Sequence, residues 1–199
     1  MINITNEKSA HSFYLFLVSC DSKSQEVSIN STTLIPIEEV SKIKNFVKNS
    51  KYNQDLAIFI NFRIPSNKFR FFIYDLKSDK ILEKAIVAHG SGSVVKGTND
   101  LTFSNTENSY QSSLGKYEIS SSYIGKFGKA YRLKGLDVTN SNALKRAIVL
   151  HSYYCISDVE TKNLACLGLG CPMLSPNFFK VAEKYIDGSK KPIILYAFY

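Results

Sequence analysis

Apolar runs separated by turn-rich segments predict that most of this chain forms strands. The runs contain many β-branched and aromatic residues, which favour half-buried strands. The predicted strands cover residues 56–62, 69–74, 81–88, 114–119, 130–133, 147–150 and 192–199. The first three follow one another through short turns, so we expect them to pair antiparallel. The predicted fold class is mainly β with a few helices (α+β), arranged as a sandwich or barrel.

Two segments show helical spacing instead. Between residues 36 and 49 the apolar positions recur three or four residues apart, with glutamates early and lysines late, which suits the helix dipole. A second segment opens at Pro176, which a first helical turn tolerates, and closes before Gly188. We expect the first helix to pack on the core of the domain; the alternative is a helix that lies on a membrane surface.

Residues 1–20 have the character of a leader. Their apolar run is far too short to cross a bilayer but suits the core of a signal peptide. The leader ends in Leu-Val-Ser-Cys20, which resembles a bacterial lipobox, so Cys20 is the predicted lipidation site and membrane anchor. The alternative is a buried strand that ends in a cysteine. Residues 21–35 are predicted to be a flexible linker and residues 36–199 a single catalytic domain.

The net charge of the chain limits which kinds of binding partner are expected. The chain has 25 Lys and Arg against 17 Asp and Glu, a formal charge of +8. Such an excess favours anionic surroundings, which include nucleic acid, phospholipid and acidic wall polymers. The lysines are scattered along the sequence, so nucleic acid is not an expected partner. Phosphate-binding and dinucleotide-binding glycine motifs are absent from the sequence, and no cofactor is predicted.

One histidine and one cysteine form the strongest candidate for chemistry. The apolar run at residues 147–150 ends in His151, and a glycine-containing turn presents Cys171. A thiol attacks only as a thiolate, and a neutral imidazole can take its proton. Cys171 is therefore the predicted nucleophile and His151 its base; the alternative is a buried structural thiol. The N–H groups of Gly170 and Cys171 are the predicted oxyanion donors, because glycine lets backbone amides face a cavity.

Six sequence blocks in a fixed order surround these residues. They are VAHGSGS (87–93), FSN (103–105), SSLGKYEIS (112–120), SYIGKFGKAYRLKGLD (122–137), RAIVLHS (146–152) and GLGCP (168–172). With these blocks the chain resembles the murein L,D-transpeptidase catalytic domains, which are YkuD-like cysteine enzymes of the bacterial cell wall. It is most similar to their longer branch, typical of Gram-negative chains. The resemblance runs from Leu56 to the C-terminus.

The resemblance implies what the site does. Cys171 would form a thioester with the tetrapeptide stem of peptidoglycan in the periplasm or cell envelope, and a second stem would accept the acyl group. If water accepts it instead, the enzyme is an L,D-carboxypeptidase. A backbone carbonyl near Ser152 would orient His151. The resemblance also implies that carbapenems acylate the cysteine.

Two positions depart from the family pattern. Gly168 stands three residues before the nucleophile, where the family usually has serine or threonine, and Ser152 follows the histidine, where glycine is common. The first departure motivates another hypothesis, a lipoprotein with impaired catalysis that binds wall peptides. Gly168 remains a possible groove residue.

A second histidine stands near a long polar segment. His89 ends a predicted strand just before a glycine-rich loop, which makes it a possible residue of the substrate groove. The alternative is a solvent-facing histidine or one held by structural hydrogen bonds. Residues 94–113 are predicted to form a loop that covers the groove, because they are polar and long for a connection.

The four cysteines test this interpretation. They are Cys20, Cys155, Cys166 and Cys171. If Cys20 is lipidated in an oxidising compartment, Cys155 and Cys166 can pair and leave Cys171 free. The alternative is a zinc ion bound by His151 and the last three cysteines. The spacing of these ligands matches no compact zinc motif, so no metal site is predicted.

Overall fold

Eight strands and two helices make up the part of the chain that the computed structural model describes, Met1 and residues 34–199. The helices are α1 (Ile37–Val47) and α2 (Pro176–Asp187). The strands are β1 (Leu56–Asn61), β2 (Phe71–Asp75), β3 (Lys80–Ala85), β4 (Gly115–Gly125), β5 (Gly128–Gly135), β6 (Val149–Ser152), β7 (Met173–Leu174) and β8 (Ile194–Phe198). Short 3₁₀ turns cover Ser91–Ser93 and Val138–Asn140. The predicted class, mainly β with a few helices, is confirmed.

The strands form one sheet in the order β3-β2-β1-β8-β4-β5-β6-β7. The antiparallel group predicted for β1, β2 and β3 is confirmed. Two pairs are parallel, β1 with β8 and β6 with β7. Beyond β3 the chain continues to Ala88, whose N–H donates to the carbonyl of Met173 in β7 at 3.0 Å. This bond joins the two outer strands, so the sheet curls almost closed.

Both faces of the central strands are buried, which explains their continuous apolar runs. In β1, Ile58 faces a core cluster that also contains Phe179 of α2. Its neighbour Phe59 faces the opposite cluster, together with Ile43 of α1. Successive strand residues point to opposite faces, so one strand serves two cores. The first helix therefore packs on the core, as expected.

Several elements differ in extent from the prediction. Strand β4 continues to Gly125, well past the predicted end at residue 119, because it forms a long hairpin with β5. Strand β7, of two residues, was not predicted, since so short a strand has no pattern of its own. The segment 94–113 contains no helix and only an isolated bridge between Val94 and Leu101, in agreement with the predicted loop.

The leader, Cys20 and residues 21–33 of the predicted linker lie outside the described residues. The last linker residue, Ile35, is buried against α1 in the second core cluster. Among the described residues, no helix combines the length and apolarity that a bilayer crossing requires.

Candidate active site

Strand β6 and the turn before β7 bring the two predicted catalytic residues together. In the parallel pairing of these strands His151 lies opposite Met173. Cys171 comes two residues before Met173 and lies beside the start of β6. Its Sγ accepts the N–H of Val149 at 3.4 Å, and its S–H donates to the carbonyl of Ala147 at 3.7 Å. The predicted nucleophile and the predicted base therefore lie on neighbouring strands, Cys171 just before β7 and His151 within β6.

The backbone of the turn can take only glycine at position 170. Gly170 has φ +111°, and a Cβ there would lie 2.7 Å from the carbonyl oxygen of Gln111. Among the described residues, neither the N–H of Gly170 nor that of Cys171 donates a hydrogen bond to a protein group. Two adjacent unpaired donors beside a sulfur atom suit the oxyanion formed when a thiolate attacks a carbonyl.

A second segment holds this turn in place. The N–H of Gly168 donates to the carbonyl of His89 at 2.9 Å, and the N–H of Ser91 donates to the carbonyl of Gly168 at 2.8 Å. Gly90, between them, approaches so closely that a Cβ would lie 2.9 Å from the backbone nitrogen of Gly170. The turn that carries Cys171 is thus fixed by backbone contact with residues 89–91.

The imidazole of His151 is buried, with 6% of the residue exposed. Its Nδ1 lies 2.9 Å from the carbonyl of Ser152, the contact that the family resemblance implied for an orienting group. A carbonyl can only accept, so Nδ1 carries the proton and Nε2 is left with a lone pair. Phe127, from the β4–β5 hairpin, stacks on the ring at 5.3 Å and 21°. Neither ring nitrogen hydrogen-bonds to Sγ of Cys171 in the described structure.

Burial keeps both groups uncharged. It lowers the pKa of His151 below its usual value, although the bond to Ser152 opposes the shift. It raises the pKa of the Cys171 thiol, which the N–H of Val149 and the charge of Arg146 lower in part. At neutral pH the thiol of Cys171 and the imidazole of His151 are therefore both neutral. Attack by sulfur therefore requires a proton transfer to a base.

Arg146 is a site residue that the sequence reasoning did not single out. Its Nη1 donates to the carbonyl of Ser104 at 2.6 Å and to Oγ of Ser113 at 3.2 Å, and its Nη2 donates to the carbonyl of Gln111. No carboxylate of the described residues pairs with it. The guanidinium thus ties the loop at 104–113 to the segment just before β6, close to the nucleophile turn, which we define as residues 168–171. The sequence does contain a signal for Arg146, because a charged residue stands there directly before an apolar run.

Two of the zinc ligands considered from the sequence are joined to each other. Cys155 and Cys166 form a disulfide, with Cα atoms 6.2 Å apart. The pairing considered from the sequence is thereby confirmed, and the zinc alternative is wrong, because two of its four ligands are not free thiolates. Cys171 is the free cysteine among the described residues. The disulfide closes a loop between His151 and Cys171 in the sequence.

His89 meets the nucleophile turn through its backbone, while its ring turns to a different partner. Its carbonyl holds Gly168, and its Nδ1 lies 2.8 Å from Nη2 of the buried Arg70. The residue itself is 4% exposed. The structure thus places His89 and Gly168 in contact, as expected if both belong to one groove. The side chain of His89, however, is buried and does not face solvent.

Comparison with known families decides the identity of the chain. Residues 27–198 match the family model of the L,D-transpeptidase catalytic domain. The chain belongs to this family. Members of the family act on the stem peptides of peptidoglycan in the cell wall. No curated protein matches the chain in sequence.

Solved structures similar to this L,D-transpeptidase domain are distant in sequence. An L,D-transpeptidase from Xylanimonas cellulosilytica is 10% identical over 72% of this chain and 60% of its own, with a TM-score of 0.38. L,D-transpeptidase 3 from Mycobacterium tuberculosis is 13% identical over 73% of this chain and 61% of its own, with a TM-score of 0.40. Bd1075 from Bdellovibrio bacteriovorus is 13% identical over 72% and 48%, with a TM-score of 0.45. The chain spans between 48% and 61% of these structures.

Replacing Arg146 in this L,D-transpeptidase domain should change the acidity of the thiol. In Arg146→Gln we expect the pKa of Cys171 to rise further, because the nearest cation is lost. The rate of alkylation by iodoacetamide, measured against pH, reports that pKa. Arg146→Lys keeps the charge but not the forked donors, so it should keep the wild-type profile while losing about 1–3 kcal/mol of stability.

Lys145→Gln is the matched control, because Lys145 is the adjacent cation and pairs with Glu107 at the surface. Its alkylation profile should equal that of the wild type. An unchanged profile in a folded Arg146→Gln variant would show that the guanidinium has no influence on the thiol.

Proposed function

We propose that the chain is a peptidoglycan L,D-transpeptidase that forms cross-links through an acyl-enzyme on Cys171, with His151 as general base. The observation that supports this best is the pair of unpaired N–H groups, on Gly170 and Cys171, beside a sulfur at the end of the strand that carries a neutral imidazole. Nucleophile, base and oxyanion donors are the parts that acyl transfer through a thiol needs.

The first step makes the thioester. The thiol leaves the carbonyl of Ala147 by rotation about its side chain, and Nε2 of His151 takes its proton. The sulfur attacks the carbonyl carbon between the diamino acid and the terminal D-alanine of a tetrapeptide stem. The N–H groups of Gly170 and Cys171 hold the oxyanion. As the C–N bond breaks, His151 returns the proton to the leaving amine of D-alanine.

The second step transfers the acyl group. The side-chain amine of another stem attacks the thioester, His151 accepts a proton from that amine, and the thiol is regenerated. The product is a 3→3 cross-link. The Ser152 carbonyl keeps the proton of His151 on Nδ1, so the same nitrogen, Nε2, serves in both steps.

Two alternatives keep the same site. If water replaces the amine in the second step, the enzyme is an L,D-carboxypeptidase that trims stems. If Gly168 prevents turnover, the chain is a wall-peptide-binding lipoprotein. The structure favours catalysis over the second, because Gly168 has no left-handed φ and holds the turn through backbone groups alone.

We further propose that the enzyme works in the periplasm or cell envelope, held by a lipid on Cys20. The disulfide between Cys155 and Cys166 supports an oxidising compartment. Metabolic labelling with a lipid analogue tests the anchor: wild type should be labelled and Cys20→Ser should not.

Purified enzyme given disaccharide tetrapeptide should form cross-linked dimer. Cys171→Ala should give none, and His151→Gln should lower kcat by about 10²–10⁴-fold, the usual contribution of a general base. Mass spectrometry of the products distinguishes the reactions. Tripeptide without dimer would identify the carboxypeptidase, and stem binding without turnover or acyl-enzyme would identify the binding lipoprotein.

Two glycine substitutions separate the roles of the turn residues. At Gly168 a Cβ would lie 3.1 Å from Cε of Met173, a flexible side-chain end, and 3.4 Å from the carbonyl oxygen of Cys171, an ordinary contact, so Gly168→Ser should fold and keep at least wild-type activity. At Gly170 the added Cβ would clash with the backbone at 2.7 Å under φ +111°, so Gly170→Ser should lose activity. Equal activities of the two variants in dimer formation would contradict this account of the turn.

A further inference from the structure

The side chain of Ser112 bridges the loop before β4 to the nucleophile turn. Ser112 stands near the end of the segment 94–113 and is 3% exposed. Its Oγ lies 3.0 Å from the backbone nitrogen of Gly90 and 3.3 Å from the carbonyl oxygen of Gly170. An N–H can only donate and a carbonyl can only accept, so the hydroxyl accepts from Gly90 and donates its proton to Gly170. The two partners therefore set the direction of the hydroxyl proton.

The backbone of Ser112 is itself held on both sides. Its N–H donates to Oγ of the buried Ser93 at 2.9 Å, and its carbonyl accepts the N–H of Ser104 at 3.0 Å. The residue before it, Gln111, is held through its carbonyl by the guanidinium of Arg146. Ser112 is therefore a fixed point of the loop, and the nucleophile turn is hydrogen-bonded to it.

The carbonyl that Ser112 holds belongs to the same peptide group as one of the proposed oxyanion donors. The carbonyl of Gly170 and the N–H of Cys171 share one planar trans peptide unit, in which they point in opposite directions. Among the described residues, Ser112 is the only group that donates to the carbonyl of Gly170. Because the hydroxyl holds this carbonyl toward the loop, the N–H of Cys171 is turned away from the loop.

A peptide group that follows a glycine needs such a restraint. It can reverse by rotation about the bonds on either side of it, and glycine restricts this rotation least because it has no Cβ. The reversed peptide group would present the carbonyl oxygen of Gly170 in place of the N–H of Cys171, and that oxygen would repel an oxyanion. A hydrogen bond to the carbonyl also polarises the peptide group, which makes the N–H of the same unit a stronger donor.

We propose that Ser112 is a positioning residue for acyl transfer, whose hydroxyl holds the peptide group between Gly170 and Cys171 so that the N–H of Cys171 faces the oxyanion. Ser112 acts through that peptide group and does not touch the substrate. The inference rests on the proposed function, because it requires that this N–H stabilise a negative charge formed during attack by sulfur. It gives the segment 94–113 a second role beside covering the groove, which is to complete the oxyanion site.

Two reactions of the same thiol, compared in Ser112→Ala and in the wild-type full chain, test the proposal. Acylation by a carbapenem passes through an oxyanion, whereas alkylation by iodoacetamide displaces iodide at a saturated carbon and forms none. We expect Ser112→Ala to slow acylation about 10–10³-fold, up to the effect of removing one oxyanion donor. The alkylation rate against pH should equal that of the wild type, because Val149 and Arg146 still act on the sulfur. Intact mass spectrometry measures both rates.

Ser66→Ala is the matched control. Ser66 is 2% exposed and its Oγ accepts the N–H of Ala165 at 3.1 Å, so this variant also loses one buried hydroxyl, but one that does not contact residues 168–171. Both of its rates should equal those of the wild type. Ser112→Thr keeps the hydroxyl and should recover most of the acylation rate that Ser112→Ala loses. Thermal unfolding checks that each variant is folded.

Equal acylation rates in Ser112→Ala and in an active wild type would overturn this inference alone and leave the proposed function intact. An alkylation rate that falls by the same factor as acylation would also overturn it, because the hydroxyl would then act on the thiol or on the fold. The same holds if Ser66→Ala slows acylation as much as Ser112→Ala does. A wild-type chain that gives neither a carbapenem adduct nor a product from disaccharide tetrapeptide would refute the proposed function, and this inference with it.

Discussion

The site depends on one backbone contact, the docking of the nucleophile turn against residues 89–91. Two hydrogen bonds join Gly168 to His89 and Ser91, and the bond from Ala88 to Met173 continues the same seam into β7. Gly90 lies so close to Gly170 that no side chain fits between them. These three hydrogen bonds close the sheet and hold the turn in which the N–H groups of Gly170 and Cys171 have no hydrogen-bond partner among the described residues. Oxyanion donors act well only when their position is set before the reaction.

The second constraint is electrostatic. Burial holds the thiol and the imidazole neutral, and the guanidinium of Arg146 lowers the cost of forming a thiolate without pairing with it. The stacked ring of Phe127 and the carbonyl of Ser152 fix the plane and the tautomer of His151. The site therefore suits a mechanism in which the proton moves at the moment of attack, because no thiolate is stored in advance.

Local patterns in the sequence were enough to predict seven of the eight strands and both helices, because each follows from neighbouring residues. The same patterns, with the family resemblance, are the basis for proposing His151 and Cys171. The rest depends on contacts between distant parts of the chain. Gly90 resembles an ordinary loop glycine until Gly168 is placed beside it. Arg146 finds its acceptors in a loop about 40 residues away, and β7 exists only because β6 and residue 88 flank it. The carbonyl that orients His151 was expected from the family resemblance, because the spacing of residues in the sequence does not indicate it.

Acylation by a carbapenem tests the central claim most directly, that His151 activates Cys171 for attack on a carbonyl held by the turn. Intact mass spectrometry followed by peptide mapping measures both the extent and the position of the adduct. The account predicts one covalent adduct per chain, on Cys171, that forms far more slowly in a folded His151→Gln variant. No adduct, an adduct elsewhere, or an equal rate in that variant would contradict it.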